Sequence, residues 1–527
     1  MIPRLFYAVI VAMLCSMPMR VMAESNENSF LAQNYLDVSP SVEHPVEYCG
    51  EVIANAGGGE FAPYYLMSNN FGVLTQPYSM LARISAKLTM DLNQRFSWGF
   101  GADVIGGFSS SRGYERFSIE DNSMVMIQRR PAAVRLQQLY GEVKYRSLFL
   151  TAGLKEVGSA MLNDRLSSGD LTWSANARPI PGLRAGFHGF ENIPFTNGWV
   201  QINGELFYGR PSDNHWLEDH YNYENYFVTT GRWINYKRLY LRTNPHQPVS
   251  VTVGMQAAAI FGGTQNSYND GRLVEQSKSS LGLGDFIDML IPRQGDSYWT
   301  GNHLGSWDFK SSFRVDNKNE LIAYFQWPWE DGSGIGKLNG FDGLWGVEYK
   351  RAGSGIVTGA VIEYLDFTNQ SGPLHWDPED FPGTTIVDWA TGSDDYYNHF
   401  FYNGYAYYGL SQGTPFMTSP IYNRDGYMRF VDNKVRGFHV AVEGEVSRAV
   451  DYRAMFSWRQ AWGSGYIPRV SKVSDTSAML EVKWRVPSVS GLSVKGAVAI
   501  DRGEIFGNNA GVSVTVAYKG DLKIWKL

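Results

Sequence analysis

Apolar and polar side chains alternate one by one along most of this chain. From residue 82, Ala82, Ile84, Ala86, Leu88, Met90 and Leu92 share one face of an extended backbone, while Arg83, Ser85, Lys87, Thr89 and Asp91 share the other. A period of two is the signature of a strand whose side chains alternate across a sheet. After a short turn, Phe96, Trp98, Phe100, Ala102 and Val104 repeat the pattern. Residues 321–350 give the plainest hairpin. Leu321, Ala323, Phe325 and Trp327 share a face, a glycine-rich polar loop follows at 328–343, and Trp345, Val347 and Tyr349 then oppose Glu348 and Lys350. Residues 134–145, 148–154, 199–208, 251–260, 478–486 and 512–518 read as further strands. A short helix is predicted within 277–291, stopped by Pro292. Residues 61–80 fit either an extended segment or a short helix.

The charged face decides between two architectures. A soluble sandwich would expose it to bulk water, whereas a membrane barrel points it into a wet lumen and gives the apolar face to lipid. The connections favour the barrel. In the last strand Val512, Val514, Val516 and Tyr518 face out, and Ser513, Thr515 and Lys519 face in. Working back from it, 501–511, 461–477 and 328–343 are outer loops, while 487–491, 446–450, 351–355 and 316–319 are short inner turns. The expected fold is therefore all-β, a large transmembrane antiparallel barrel. At roughly 25 to 30 residues per strand it has about 16 to 20 strands. Residues 366–436 are expected to hold a large outer loop and up to two further strands.

Composition agrees. Aromatics make up 14% of the chain, with 31 Tyr and 16 Trp, residue types that gather at membrane interfaces. The mean hydropathy is −0.26, and no run of 18 apolar residues follows the N-terminus, which excludes a helical membrane protein. Residues 1–23 read as a secretory signal, with Arg4 at the charged start and Val21-Met22-Ala23 before the cut. Residues 24–60 then form a periplasmic lead-in and 61–527 the barrel. Removing the signal leaves Cys49 as the sole cysteine, so no internal disulfide forms. Two of the 46 Lys and Arg also go, leaving 44 against 52 acids, a net of −8. That charge argues against a nucleic-acid partner.

Sugar recognition is the chemistry that the loops suggest. A sugar ring has an apolar C–H face and a hydroxyl rim, which suit an aromatic platform beside carboxylates and amides. The loop after residue 327 supplies Trp329, Glu330, Asp331, Asn339 and Asp342, whereas Trp327 and Trp345 fit an interface girdle better. A second region supplies Trp376, Asp394, Asp395 and Tyr396. Calcium is an alternative ligand there, but no ordered ligand spacing supports it, and loop packing is the bland reading. Asp170, Arg178 and Arg184 are candidate lumen-lining residues. They would meet acidic sugar units or brace the wall as ion pairs. GSGIGK at 332–337 fails as a phosphate loop, since Asp331 and Leu338 stand where glycine and a hydroxyl belong. There is no G-x-S-x-G and no H-E-x-x-H, so the chain does not read as an enzyme, and nothing calls for a cofactor.

Several stretches resemble the Wzi capsule-assembly family of outer-membrane proteins. They are LSSGDLTWSANARPIPGLRAGF from residue 166, NYKRLYLRTNPHQPVSVTVGMQAAAIFGG from 235, GNHLGSWDF from 301, VDNKVRGF from 431, the region 394–409 and the 321–350 hairpin. The resemblance implies a barrel of eighteen strands in the Gram-negative outer membrane, with short helical elements toward the periplasm or in the lumen. It also implies a lectin-like role, anchoring capsular or other surface polysaccharide, with outer-membrane lipid and capsule-export machinery as partners. Two features depart from the family. The chain ends in Trp525-Lys526-Leu527 rather than in a terminal aromatic, and its loops and acidic surface differ. The alternative reading is a porin for small solutes or sugars.

Overall fold

The computed structural model describes residues 45–220, 227–269, 271–290, 301–330, 339–372 and 393–522, with the backbone alone of 375–376 and 390–391. The expected signal lies outside the described residues. One closed antiparallel sheet dominates. Its first nine strands are β1 (Val46–Gly58), β2 (Ser79–Leu88), β3 (Phe96–Ser109), β4 (Val134–Tyr145), β5 (Leu148–Leu154), β6 (Gly182–Phe187), β7 (Val200–Gly209), β8 (Trp233–Thr243) and β9 (Val249–Phe261). A short segment, Glu191–Asn192, continues β6 along β7. The second nine are β10 (Gly301–Arg314), β11 (Asn319–Glu330), β12 (Gly343–Arg351), β13 (Gly359–Asp366), β14 (Val435–Ser447), β15 (Val450–Gly463), β16 (Pro468–Arg485), β17 (Leu492–Gly503) and β18 (Ala510–Leu522). Each pairs with its neighbours in sequence, and β1 closes on β18 from Val46↔Leu522 to Gly58↔Ala510. The fold is thus an eighteen-stranded outer-membrane-type β-barrel.

Closure corrects two expected boundaries. The lead-in does not run to residue 60, because Val46–Gly58 is the strand that seals the barrel. The stretch 366–436 adds no barrel strand, since β13 pairs directly with β14. Among the described residues that stretch forms two-residue ladders, such as Asn398–His399 with Asn403–Gly404, and one 3-10 turn at Pro420–Tyr422.

With an even strand count both termini lie at one end. The turns at that end are short, as between Tyr145 and Leu148 or Ser447 and Val450, and most connections at the other end are long. Short turns are periplasmic and long connections face outward in such barrels. The outer loop expected at 461–477 is mostly strand, because β16 begins at Pro468. Its parity survives all the same, with Thr476 paired to Trp458 and Ala478 to Phe456.

The alternation sorts as expected. Ile84, Val347, Val512, Val514 and Val516 are exposed on the outer wall, and Ser513 and Thr515 are buried within. At the outer edge of this apolar belt Phe325 stacks on Trp345 at 3.8 Å and Trp327 on Phe341 at 6.0 Å. The helices are one-turn pieces: α1 (Tyr64–Met67), α2 (Trp216–Asp219) and α3 (Leu283–Asp288). α1 is buried in the lumen. α2 and α3 occupy outer connections rather than the periplasmic side.

Directly paired residues of neighbouring strands share a further device. Gly101 faces Tyr140, Gly254 faces Tyr240, Gly346 faces Tyr324 and Gly520 faces Tyr48. In each pair the ring lies where a side chain on the glycine would be. The ring covers the bare backbone and pins the register. Tyr324 then reaches Glu363 with its hydroxyl at 2.5 Å. Gly346→Val should expel the Tyr324 ring and cost about 1–3 kcal/mol as overpacking, read as a lower denaturant midpoint in detergent. An unchanged midpoint would mean that the ring is not locked.

Candidate functional site

The lumen is where the polar residues converge. The connection between β5 and β6 does not leave the barrel but folds through it, and nearly every residue from Met161 to Ala177 is buried. Its centre is Asp170, with no exposed surface. Asp170 Oδ1 accepts from the backbone N–H of Thr172 at 2.9 Å and of Trp173 at 3.2 Å, and from Gln256 Nε2 at 2.8 Å. Its Oδ2 accepts from Ser159 Oγ at 2.6 Å and Gln326 Nε2 at 3.0 Å. The five donors are uncharged, and two of them, Gln256 and Gln326, belong to opposite flanks of β10. Gln326 also reaches Asp308 Oδ1 at 3.2 Å, and Tyr240 donates to Asp308 Oδ2 at 2.6 Å.

The rest of the connection binds wall after wall. Asn163 donates to Glu348 on β12 at 3.0 Å, Ser168 N–H to Glu363 on β13 at 2.7 Å, and Leu171 N–H to Gln326 on β11 at 3.1 Å. From the β1–β2 connection, Tyr64 N–H donates to Asp501 on β17 at 2.9 Å, and Tyr65 pairs with His439 on β14 at 2.8 Å. The segment after β13 closes the mesh. Ser174 Oγ donates to the Gly413 carbonyl at 2.7 Å, Asn176 Nδ2 to that of Ser411 at 3.0 Å, and Tyr397 Oη to that of Leu171. One hydrophobic cluster joins all three segments to the inward wall. Two cavities among the described residues hold about 10 Å³ each, about one water apiece.

Of the three lumen candidates, Asp170 is this hub. Arg184 stands on β6 and ion-pairs with Glu205, which Arg238 also reaches at 3.0 Å. The Arg184 guanidinium lies 4.7 Å from the Phe207 ring centroid. Arg178 lies 4.3 Å from the Tyr408 ring centroid, and its stem packs on Gly72. Asp170 and Arg184 are buried among protein partners, which leaves neither open to a polymer.

The two groups of sugar candidates do meet in space, but inside. Asn339 donates to the Pro328 carbonyl at 2.7 Å and to Tyr396 Oη at 2.9 Å. Asp342 accepts from the backbone of Asn369 at 3.0 Å and Gln370 at 2.8 Å, and from Tyr396 Oη at 3.1 Å. Glu330 accepts from Tyr397 N–H at 2.6 Å and Asp394 from Ser371 Oγ at 2.7 Å. Asp395 accepts from Asn433 Nδ2 at 2.5 Å. Trp329 is fully buried on the opposite face of β11 from Gln326, its ring against Gly305. In this conformation neither Trp329 nor Tyr396 offers a sugar platform; the residues form a bracket that ties the β11–β12 loop to the segment after β13. Loops crowded above a filled lumen must pair their polar groups with each other, which the sequence spacing does not reveal. Asp331 and the side chain of Trp376 lie outside the described residues. No group of three metal-type ligands occurs among the described residues.

Burial raises the Asp342 carboxyl to about 6, against the pull of its three hydrogen bonds. Desolvation likewise holds His220 down, to about 3, so it is neutral where it stacks between Trp216 at 4.0 Å and Tyr114 at 4.2 Å. Rings with open surface stand elsewhere. Tyr466, in the β15–β16 turn, is 68% exposed, and Phe400 is 43% exposed with Arg429 at 6.0 Å. Phe400 lies in the aromatic-rich stretch from Asp394 that the sequence offered as a sugar region, whereas Tyr466 was not singled out, since a lone tyrosine in a turn carries no signal.

No family model and no curated protein matches the chain. Among solved structures it is similar to Wzi, an outer membrane protein involved in group 1 capsule assembly in Escherichia coli and described as a carbohydrate-binding β-barrel. That likeness has 12% identity and a TM-score of 0.49, over 90% of this chain and 84% of that one. It is also similar to OccD3 of Pseudomonas aeruginosa, with 7% identity and a TM-score of 0.44, over 91% of each chain. OccAB2 of Acinetobacter baumannii shares 8% identity with a TM-score of 0.45, over 90% of this chain and 98% of that one. None of these likenesses separates a binding barrel from a porin.

Two outcomes are expected. Asp170→Ala strands buried amide donors at about 1–3 kcal/mol each, so the purified barrel should lose several molar-range tenths of its urea midpoint while keeping its β-sheet circular dichroism. Asp342 binds its proton more tightly folded than unfolded, where a carboxyl titrates near 4. Its contribution to stability therefore falls as pH rises from about 4 to about 6 and is level above. Melting curves from pH 4 to pH 7 should show this slope in the native chain and a shallower one in Asp342→Asn. Equal slopes would remove Asp342 from the account.

Proposed function

We propose that this barrel binds capsular or other surface polysaccharide through its outer loops and holds it at the cell surface, without turnover and without passing solutes. The observation that carries this reading is the filled lumen. Three connections cross it and bond to the wall on nearly every side, which removes the usual reason for so wide a barrel, an aqueous channel. What remains to act on the surroundings is the outer loops. The segments that resemble the Wzi family agree with a glycan as the ligand.

Phe400 and Tyr466 join Asp331 and Trp376 as contact candidates, since an open ring is what a sugar's C–H face packs on. Each contact is modest, and a repeating polymer adds them through high effective concentration. Deleting the gene should then move surface polysaccharide from cells into the medium with the total unchanged. Phe400→Ala and Tyr466→Ala should each shift the partition by degrees. An unchanged partition in the deletion strain sinks the anchoring reading. In planar bilayers the native protein should conduct almost nothing, and removing residues 159–178 should produce steady current. A large steady current from the native chain would instead support the porin reading.

A further inference from the structure

The outer ends of β8 to β10 carry residues that suit lipid poorly on their outward face. Along β8 the outward positions run Leu241, Leu239, Lys237, Asn235 and Trp233, the parity opposite to that of the lumen-facing Tyr236 and Tyr240. His303 of β10 is outward too, paired with Ala259 of β9. A lysine on the lipid face of a barrel costs up to about 2–4 kcal/mol at the midplane and less toward the interface. Here it is covered. Lys237 Nζ donates to the Met289 carbonyl at 2.7 Å and to Asn235 Oδ1 at 2.8 Å. Asn235 has no exposed surface and His303 is 5% exposed.

The cover is the segment around α3. Phe286 packs edge-on against Trp233 at 5.2 Å and Phe261 at 5.3 Å, and lies 5.6 Å from Tyr208. Tyr208 Oη donates to the Phe286 carbonyl at 2.5 Å. Tyr208 belongs to the outward row of β7, directly opposite the exposed Leu183 of β6. α3 therefore lies on the outside of the barrel, flush with its apolar wall, where it takes the wall's place as the outermost surface. Leu283, Gly284, Ile287 and Asp288 are its exposed residues; Leu283 and Ile287 are four apart and so lie on one helix face, with Asp288 at its C-terminal end. Its Asp285 is turned inward on its own start, accepting from Gly282 N–H at 2.7 Å.

We propose that α3 is a lipid-facing clasp, with Leu283 and Ile287 in contact with the acyl chains of the outer leaflet. The continuity of its apolar face with Leu183 and the outer wall names the occupant as lipid. The clasp covers Lys237 and Asn235 through the Met289 carbonyl and caps the outer ends of β7 to β9 through Phe286.

The test uses single cysteines at Leu283 and Ile287 in a Cys49→Ser chain, each carrying a nitroxide label and reconstituted in phosphatidylcholine vesicles. Labels at Ile84 and Val514 report the lipid-facing wall, and one at Tyr466 reports water. Collision with oxygen should outweigh collision with a water-soluble nickel chelate at both test positions, as at Ile84. A nickel-dominated signal at either position, like that of Tyr466, overturns the proposal. Leu283→Trp offers a second reading without a label. Its added fluorescence should be quenched by brominated phosphatidylcholine, and fluorescence indifferent to the brominated lipid counts against lipid contact.

Discussion

A carboxylate without water must be surrounded by donors, and Asp170 is the place where this barrel meets that demand. Two of its donors are glutamines on different strands, two are backbone amides of its own loop, and one is a serine at the loop's start. Five hydrogen bonds converge on this one group and join the loop to both strands that flank β10. A buried acceptor that loses its donors costs more than the bonds return when made. The carboxylate therefore fixes where the loop sits against β9 and β11, and the neighbouring contacts to β10, β12 and β13 follow from that placement.

The filled lumen shifts the functional weight to the loops. A wide sheet closed on itself leaves an interior that side chains alone do not fill. Here the chain supplies its own backbone as filling, and each backbone N–H and C=O brought inside needs a partner. Inward Gln, Glu and Asp side chains provide those partners, which accounts for the polar inner face. The same face in an open pore would meet water.

The wall was legible because a two-residue period ties each strand residue to lipid or lumen without reference to anything distant. Val512 to Tyr518 and Leu321 to Trp327 could be assigned sides from their neighbours alone. The first strand escaped because Val46–Gly58 is rich in glycine and alanine outward and carries little contrast. The bracket was half legible. Asn339 and Asp342 were picked from one loop and Tyr396 from another region. That the three meet, and whether such a group faces solvent or interior, depends on what folds over them. That is set by contacts between segments more than 50 residues apart, such as Asn339 with Tyr396. α3 was foreseen as a helix from Pro292 and its apolar residues, but its place on the outer wall depends on Lys237 and Tyr208, which no local pattern connects to it.

The contact between Tyr64 and Asp501 spans 437 residues. Beside it Tyr64 stacks on Phe506 at 5.1 Å, and β1 along its whole length waits for β18. Contacts this distant form late, since the intervening chain must be gathered first. The early part of the filling therefore has no seat until the final strands arrive. The seat of α1 is made by strands of the C-terminal half, so the filling and the seam both tie the two ends of the sequence together.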